Sequence, residues 1–208
     1  MIHIILNVKT SKRENFMARV SNEEKAKTHE KIIDIASEMF RNNGIEATGV
    51  ADIMKAANLT HGGFYRHFTS KTALAIEAIE RAISESLSDL EEAKNKSKTD
   101  KKAAIQIYIQ RYLSEEHVMD SANGCPLAAL GTEAPHMPEE IANVFTNGTK
   151  RAIAAIANTL NQDQKNQNAA LIMTTLIGSV ILARMSRDDV LQNSILVAAK
   201  KSTLTLLG

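Results

Sequence analysis

An all-α fold is predicted, on three observations. The apolar residues on either side of the proline patch recur at helical rather than strand spacing, and long alternating β-branched runs are missing. The three prolines all fall between Pro126 and Pro138, which leaves long unbroken segments before and after them. At 208 residues, with 44% hydrophobic and 24% charged, the chain can bury a sizeable core in one or two domains. The 25 Lys and Arg nearly offset the 24 Asp and Glu, so net charge alone names no partner. One Cys excludes an internal disulfide and favours a reducing compartment, so a cytoplasmic location is expected. The longest nearly uncharged stretch, Leu171 to Ala183, is short of the roughly 20 apolar residues of a membrane span, so no membrane partner is expected. Ile2 to Val8 lacks a preceding basic region and a cleavage-like site, so no secretion signal is expected.

Residues 1–20 fit none of the periodic pattern and are expected to form a flexible extension, with Met17 an alternative start of translation. Ser21-Asn-Glu-Glu24 has the form of a capping box, the Ser hydroxyl accepting from the backbone three residues on and Glu24 reaching back. From there Ile32, Ile35 or Ala36, Met39 and Phe40 keep one apolar face, and Asn42-Asn43-Gly44 ends the helix. Thr48 is read as the next cap. Val50, Ile53, Met54 and Ala57 stand at i, i+3, i+4 and i+7, a short amphipathic helix. Asn58-Leu59-Thr60 makes a tight turn, with Thr60 capping a third helix from His61 to Phe68 that carries Phe64 and Phe68 on one face. Thr69-Ser70-Lys71 opens a long fourth helix striped with Ile76, Ile79, Ile83, Leu87 and Leu90.

Helix, short turn, helix, braced by a longer helix before and after, is the helix-turn-helix arrangement, here about 49–68. Its geometry holds the second helix proud of the core so that it can enter a major groove. The polar face of that helix, His61, Tyr65, Arg66 and His67 with Lys71 beyond, offers donors for phosphates and base edges. Gly62-Gly63 costs about 1 kcal/mol per residue relative to Ala inside a helix. Either the backbone must approach another surface closely there, or the pair belongs to a helix-start turn that touches nothing. Charge agrees in sign: residues 1–71 carry 11 basic and 8 acidic residues, and the rest 14 and 16.

The stretch from Lys31 to Ala82 resembles the N-terminal domain of the TetR family of transcriptional regulators. The resemblance lies in the Ile-x-x-Ala-x-x-x-Phe of the first helix, the Gly44 turn and the Val-x-x-Ile of the second helix. It continues in Gly63, Tyr65, His67, Phe68 and Lys71 at the family's spacing. It implies a DNA-binding domain at 21–71, a helical effector-binding and dimerisation domain at 72–208, and a homodimer. It further implies that two recognition helices address double-stranded DNA at a palindromic operator. By position, Thr48 and Thr60 would be caps that also bond phosphates, and His61, Gly62 and Gly63 would face bases. Tyr65 would lie against the backbone or a thymine methyl, with His67 and Lys71 clamping phosphates beside Arg66.

Lys94 to Lys102 reads as a solvated connector, after which the stripes are those of five helices, a bundle-sized set. The stretch from Ala169 to Ala183 is apolar all round, with small residues at Ala170, Gly178, Ser179 and Ala183. With the helix after Asp188 it is expected to form the subunit interface, the alternative being the central helix of a monomer's core. Pro126 at a first helical position puts Cys125 at the N-cap, where a helix dipole favours a thiolate. The Gly-Cys-Pro-Leu start resembles a TetR subgroup with electrophile-responsive members. The competing reading is a buried Cys packing as a small apolar residue.

Tyr108, Tyr112, His117, Cys125, Phe145 and Met173 are the candidates to sense or line a pocket for an unknown small-molecule effector. His117 and His136 bracket Cys125 without compact metal-ligand spacing, so neither a metal nor a cofactor is expected. No glycine elbow or third orienting residue accompanies a Cys–His pair, so no enzyme is expected. The function expected from the whole is a repressor released from its operator by a small ligand or by modification of Cys125. The alternative is a DNA-binding activator or architectural protein with no effector.

Overall fold

Helices make up all the regular structure of the computed structural model, which describes residues 2–97, 100–160 and 165–207, with side chains from residue 22 on. The order is α1 (Ile2–Asn43), α2 (Val50–Ala56), a 3-10 helix (His61–Arg66), α3 (Lys71–Lys96), α4 (Lys101–Tyr112) and α5 (Glu115–Met119). There follow α6 (Pro126–Leu130), a 3-10 turn (Ala134–His136), α7 (Glu139–Ala157), α8 (Lys165–Met185) and α9 (Asp189–Thr205). The all-α class expected from periodicity is the class observed.

Helix α1 does not begin at the Ser21 capping box. It runs unbroken from Ile2, as a chain with no Gly or Pro before Gly44 can. The side chain of Ser21 lies outside the described residues. The helix stops where expected. Gly44 has φ +86°, a left-handed conformation that costs glycine little, and its N–H donates to Phe40 O at 2.8 Å. Asn58, at φ 59°, ends α2 in the same way. Its N–H reaches Lys55 O at 3.0 Å and that of Leu59 reaches Met54 O at 2.8 Å, the paired bonds of a Schellman cap. This cap sets the turn between the two short helices.

Ser70 caps α3, its hydroxyl accepting from Ala73 N–H at 3.0 Å. Helix α3 packs on α1 near its start and on α4 and α7 further along, so one buried cluster extends from Ile32 to Ala199. Exposed ion pairs tie the same helices: Arg81 to Glu30 and Asp34 of α1, and Arg151 to Glu80. The expected connector ends at Asp100, whose carboxylate caps α4.

Beyond it the described residues form six α-helices rather than five, because the two-turn period cannot flag an element as short as α5. Helix α8 is long and apolar enough to cross a membrane by length and composition, with a mean hydropathy of 1.5 over the qualifying window. In the fold it packs on α7, α6 and α9, burying Ile172, Met173, Leu176, Val180 and Ala183. Its opposite side is apolar as well: Leu171, Leu182 and Met185 are exposed, as are Val190, Leu191 and Val197 on α9. Of the small residues, Ser179 and Ala183 turn inward, whereas a Cβ added at Gly178 would meet nothing in the chain.

Candidate functional site

The segment from Thr60 to Lys71 stands out from the core on two buried rings. Phe64 is 1% exposed and stacks on Phe68, ring centroids 5.6 Å apart, while Tyr65 between them is 70% exposed. His61, Gly62 and Arg66 are exposed too, so the polar face expected at these positions is presented to solvent. The helix itself is shorter than expected. It is a 3-10 element over His61–Arg66, not an α-helix to Phe68, consistent with Gly62 and Gly63 weakening α-helix formation. Neither glycine is demanded by its own fold. A Cβ on Gly62 would meet nothing within 4 Å, and one on Gly63 only ordinary contacts with Met54 and Thr60 at 3.6 Å.

Four of the expected contact residues, Thr48, Thr60, His67 and Lys71, are held in ways their spacing did not indicate. Thr48 does not cap α2: Gly49 holds the N-cap position, and Thr48 is buried, its hydroxyl donating to Gly44 O at 2.7 Å. It braces the turn after α1 from inside. Thr60 does hold an N-cap position and is exposed, but its side chain makes no cap bond. His67 is half-buried and faces α1, its ring 6.0 Å from that of His29. The His29 ring stacks on Phe68 at 4.4 Å and bonds Glu77 at 2.8 Å. Burial, reinforced by neighbouring His29 and Lys25, lowers the pKa of His67, and its Nδ1 has no hydrogen-bond partner among the described residues. Lys71 is half-buried, and its ammonium donates to Glu46 O at 3.2 Å, beside the reading face.

A second site lies in the helical bundle. Tyr108 and Tyr112 of α4, His117 of α5 and Cys125 line one cavity of about 130 Å³. His117 is fixed by both ring nitrogens. Nδ1 lies 2.6 Å from Tyr112 O, and Nε2 accepts the backbone N–H of Cys125 at 3.1 Å, which sets the neutral tautomer with the proton on Nδ1. Burial lowers the His117 pKa against the opposing pull of Tyr112 O. Among the described residues the Tyr112 hydroxyl is buried with only the Cys125 thiol, a weak partner, beside it, and burial first, then Cys125, holds its proton on. An unsatisfied buried hydroxyl costs about 1–3 kcal/mol, so a bound acceptor here would recover that penalty.

Of the other candidates, Met173 lines a smaller apolar recess that shares Tyr108 and Cys125, whereas Phe145 belongs to a separate groove with Leu127 and Ile177. His136 is exposed and lines neither. Pro126 opens a helix as expected, but α6 has only five residues, too short for the dipole expected to favour a thiolate, and Cys125 is buried. Periodicity missed the polar lining: Ser86 and Asp89 of α3, Arg111 of α4 and Asp120. Burial raises the Asp89 pKa although Arg111 sits 3.1 Å away. Ser86 and Asp89, three apart within an apolar stripe, were the available signal.

Residues 32–78 match the model of the bacterial regulatory proteins of the tetR family. The chain is 28% identical over 174 residues to the uncharacterized HTH-type transcriptional regulator YxaF of Bacillus subtilis, covering 77% of this chain and 87% of that one. It is 22% identical over 179 residues to the HTH-type transcriptional repressor NemR of Escherichia coli, covering 81% and 90%. Among solved structures, the reduced form of E. coli NemR superposes with a TM-score of 0.72 at 20% identity, over 84% of this chain and 96% of that one. A TetR-family regulator from Cytophaga hutchinsonii gives 0.75 at 20% identity, over 88% and 94%.

Proposed function

Since this chain belongs to the tetR family of DNA-binding transcriptional regulators, we propose that it is a homodimeric repressor released from a palindromic operator by a small molecule bound in the Tyr112–Cys125 cavity. The observation that carries the reading is the outward set His61, Tyr65 and Arg66 standing on buried Phe64 and Phe68. Donors and an aromatic ring on a protruding element suit a major groove, with Lys71 and Thr60 at its edges for phosphates. Residues 21–71 form the DNA-binding unit in this reading, and residues 72–208 the effector-binding and dimerising unit. The apolar outer faces of α8 and α9 support pairing of two copies, because an exposed contiguous apolar surface is costly for a monomer. Two tied reading elements gain affinity through effective concentration.

The effector reading rests on the cavity and on the buried Tyr112 hydroxyl, which has no strong partner among the described residues and calls for a compact ligand bearing a hydrogen-bond acceptor. Cys125 lines the same cavity, so its modification would act at the same place. A ligand that prefers the dimer spacing unsuited to DNA shifts the population toward it, and DNA weakens that ligand by the same factor. Selection of bound duplexes from a random pool tests the reading, with a two-fold symmetric consensus expected. Lys71→Ala should lower the salt slope of binding by about 0.9 at every sequence, as one lost phosphate contact does. A monomer in solution, or no selected consensus, overturns the proposal.

A further inference from the structure

The segment 124–133 touches the cavity at one point, the last turn of α1 at another and the turn after α1 at a third. Within it the Cys125 N–H is held by His117 Nε2 at 3.1 Å, and the thiol lines the cavity. One residue before, the Gly124 carbonyl accepts from Arg41 Nη1 at 3.2 Å. After α6, the Glu133 carboxylate accepts the N–H of Ile45 at 3.0 Å. Arg41 and Ile45 are one turn apart and bracket the end of α1, at the Gly44 turn that leads into α2. Arg41 is almost completely buried, and its remaining ties are to Ser37 O at 3.2 Å and Glu85 at 3.5 Å. A buried guanidinium aimed at a backbone carbonyl 83 positions away is costly to desolvate and responds to small displacements of that carbonyl.

The space around these ties is tight. A Cβ on Gly124 would lie 3.0 Å from Asp120 O and 3.2 Å from His117 Nε2, so the cavity wall and this carbonyl cannot move independently.

We propose that the 124–133 segment transmits the occupancy of the cavity to the helix-turn-helix, with Arg41 and Glu133 as positioning residues at its attachments to the last turn of α1 and to the turn that follows it. This deepens the effector reading above and rests on it. A group entering beside Cys125 displaces the Cys125 and Gly124 backbone. Arg41 and Glu133 then carry that displacement to the last turn of α1 and the start of α2. Helix α3 offers a parallel route, since it borders the cavity through Ser86 and Asp89 and starts at Lys71. The experiment separates the two.

Because Cys125 is the sole cysteine, methyl methanethiosulfonate can place a small neutral group in the cavity of the full chain. The thiolate sulfur bonds the reagent's sulfenyl sulfur, methanesulfinate leaves with the electron pair, and intact mass reports completion. Affinity is measured on the duplex that the unlabelled wild type selects. Labelling should weaken the wild type by about 5- to 150-fold, the usual range of such coupling, with recovery in dithiothreitol. Arg41→Met and Glu133→Ala should label fully, bind the duplex when unlabelled, and fall short of that range when labelled. Variants released as fully as the wild type overturn the proposal and assign transmission to α3. A labelled wild type that keeps its affinity, or a cysteine that never takes the label, overturns the effector reading itself. Where a variant does not fold, amide exchange of the labelled wild type decides. The Ile45 N–H should exchange faster than in the unlabelled protein, and an unchanged rate refutes the role of Glu133.

Discussion

Between Thr60 and Lys71 a short run of consecutive residues carries the outward face, anchored by Phe64 and Phe68. Around Cys125, the side chains that meet come from α3, α4, α5 and the loop before α6. The first region keeps its functional groups outside the packing, so changing them should alter binding and leave the fold alone. The second region builds its wall from buried, mutually bonded groups, so changes there should register in stability and function together. Only the anchors of the first region should behave like the second.

The largest effect is therefore expected at an anchor. Phe64→Ala removes a ring that is 1% exposed, and truncations of this kind cost about 3–5 kcal/mol. Denaturant unfolding should show that loss, together with loss of DNA binding. A variant as stable as the wild type would mean that Phe64 does not hold the reading element.

Contiguity also explains what was legible beforehand. The Asn58 turn, the Gly44 stop, the Phe64–Phe68 pair and the exposed face all follow from spacing within one segment, because each rests on neighbours a few residues away. Thr48 and His67 were misplaced because type and spacing do not say whether a polar side chain turns outward or donates inward, as Thr48 does to Gly44 O. At the cavity, Tyr108, Tyr112, His117 and Cys125 were named individually, but their meeting depends on how α4 and α5 pack against α3. Which side of α8 faces its own chain was not legible, since a helix apolar all round gives no clue: Leu171 lies outside while its neighbour Ile172 is buried.

Gly124→Ala sharpens the comparison next. The added Cβ meets a backbone oxygen and a fixed imidazole, with the Arg184 guanidinium closer still, so overpacking of about 1–3 kcal/mol is expected. The expected readout is a lower denaturant midpoint with an unchanged slope. An unaffected midpoint would show the wall to be more yielding than its bonds imply.

Protonation probes the same wall more gently. His117 must be neutral to accept the Cys125 N–H, and burial holds its pKa below the usual value of about 6.5. Between those two values the unfolded chain binds the extra proton and the folded chain does not. Stability is then complete above about pH 6.5 and declines as pH falls toward the folded pKa. His67 is shifted in the same direction and contributes with the same sign. Thermal melts should show a falling midpoint below about pH 6.5, with a shallower fall in His117→Gln. A fall of equal steepness in that variant would place the titration elsewhere.

The smallest effect on stability, and the sharpest division between stability and function, is expected at Gly62. Its Cβ would point into open space and its φ is not left-handed, so the fold gives no reason for glycine there. Alanine restricts the unfolded chain and favours helix, which should leave stability unchanged or raise it by at most about 1 kcal/mol. If the bare backbone at this position exists to let DNA come close, a single methyl group should nevertheless weaken binding by about tenfold or more, about 1.4 kcal/mol or above. Stability and affinity would then move in opposite directions at one residue, which no position in the cavity wall should do. A Gly62→Ala protein that keeps its affinity would instead make the glycine pair a helix-start turn, and the DNA contact would rest on the side chains of the outward set, His61, Tyr65 and Arg66.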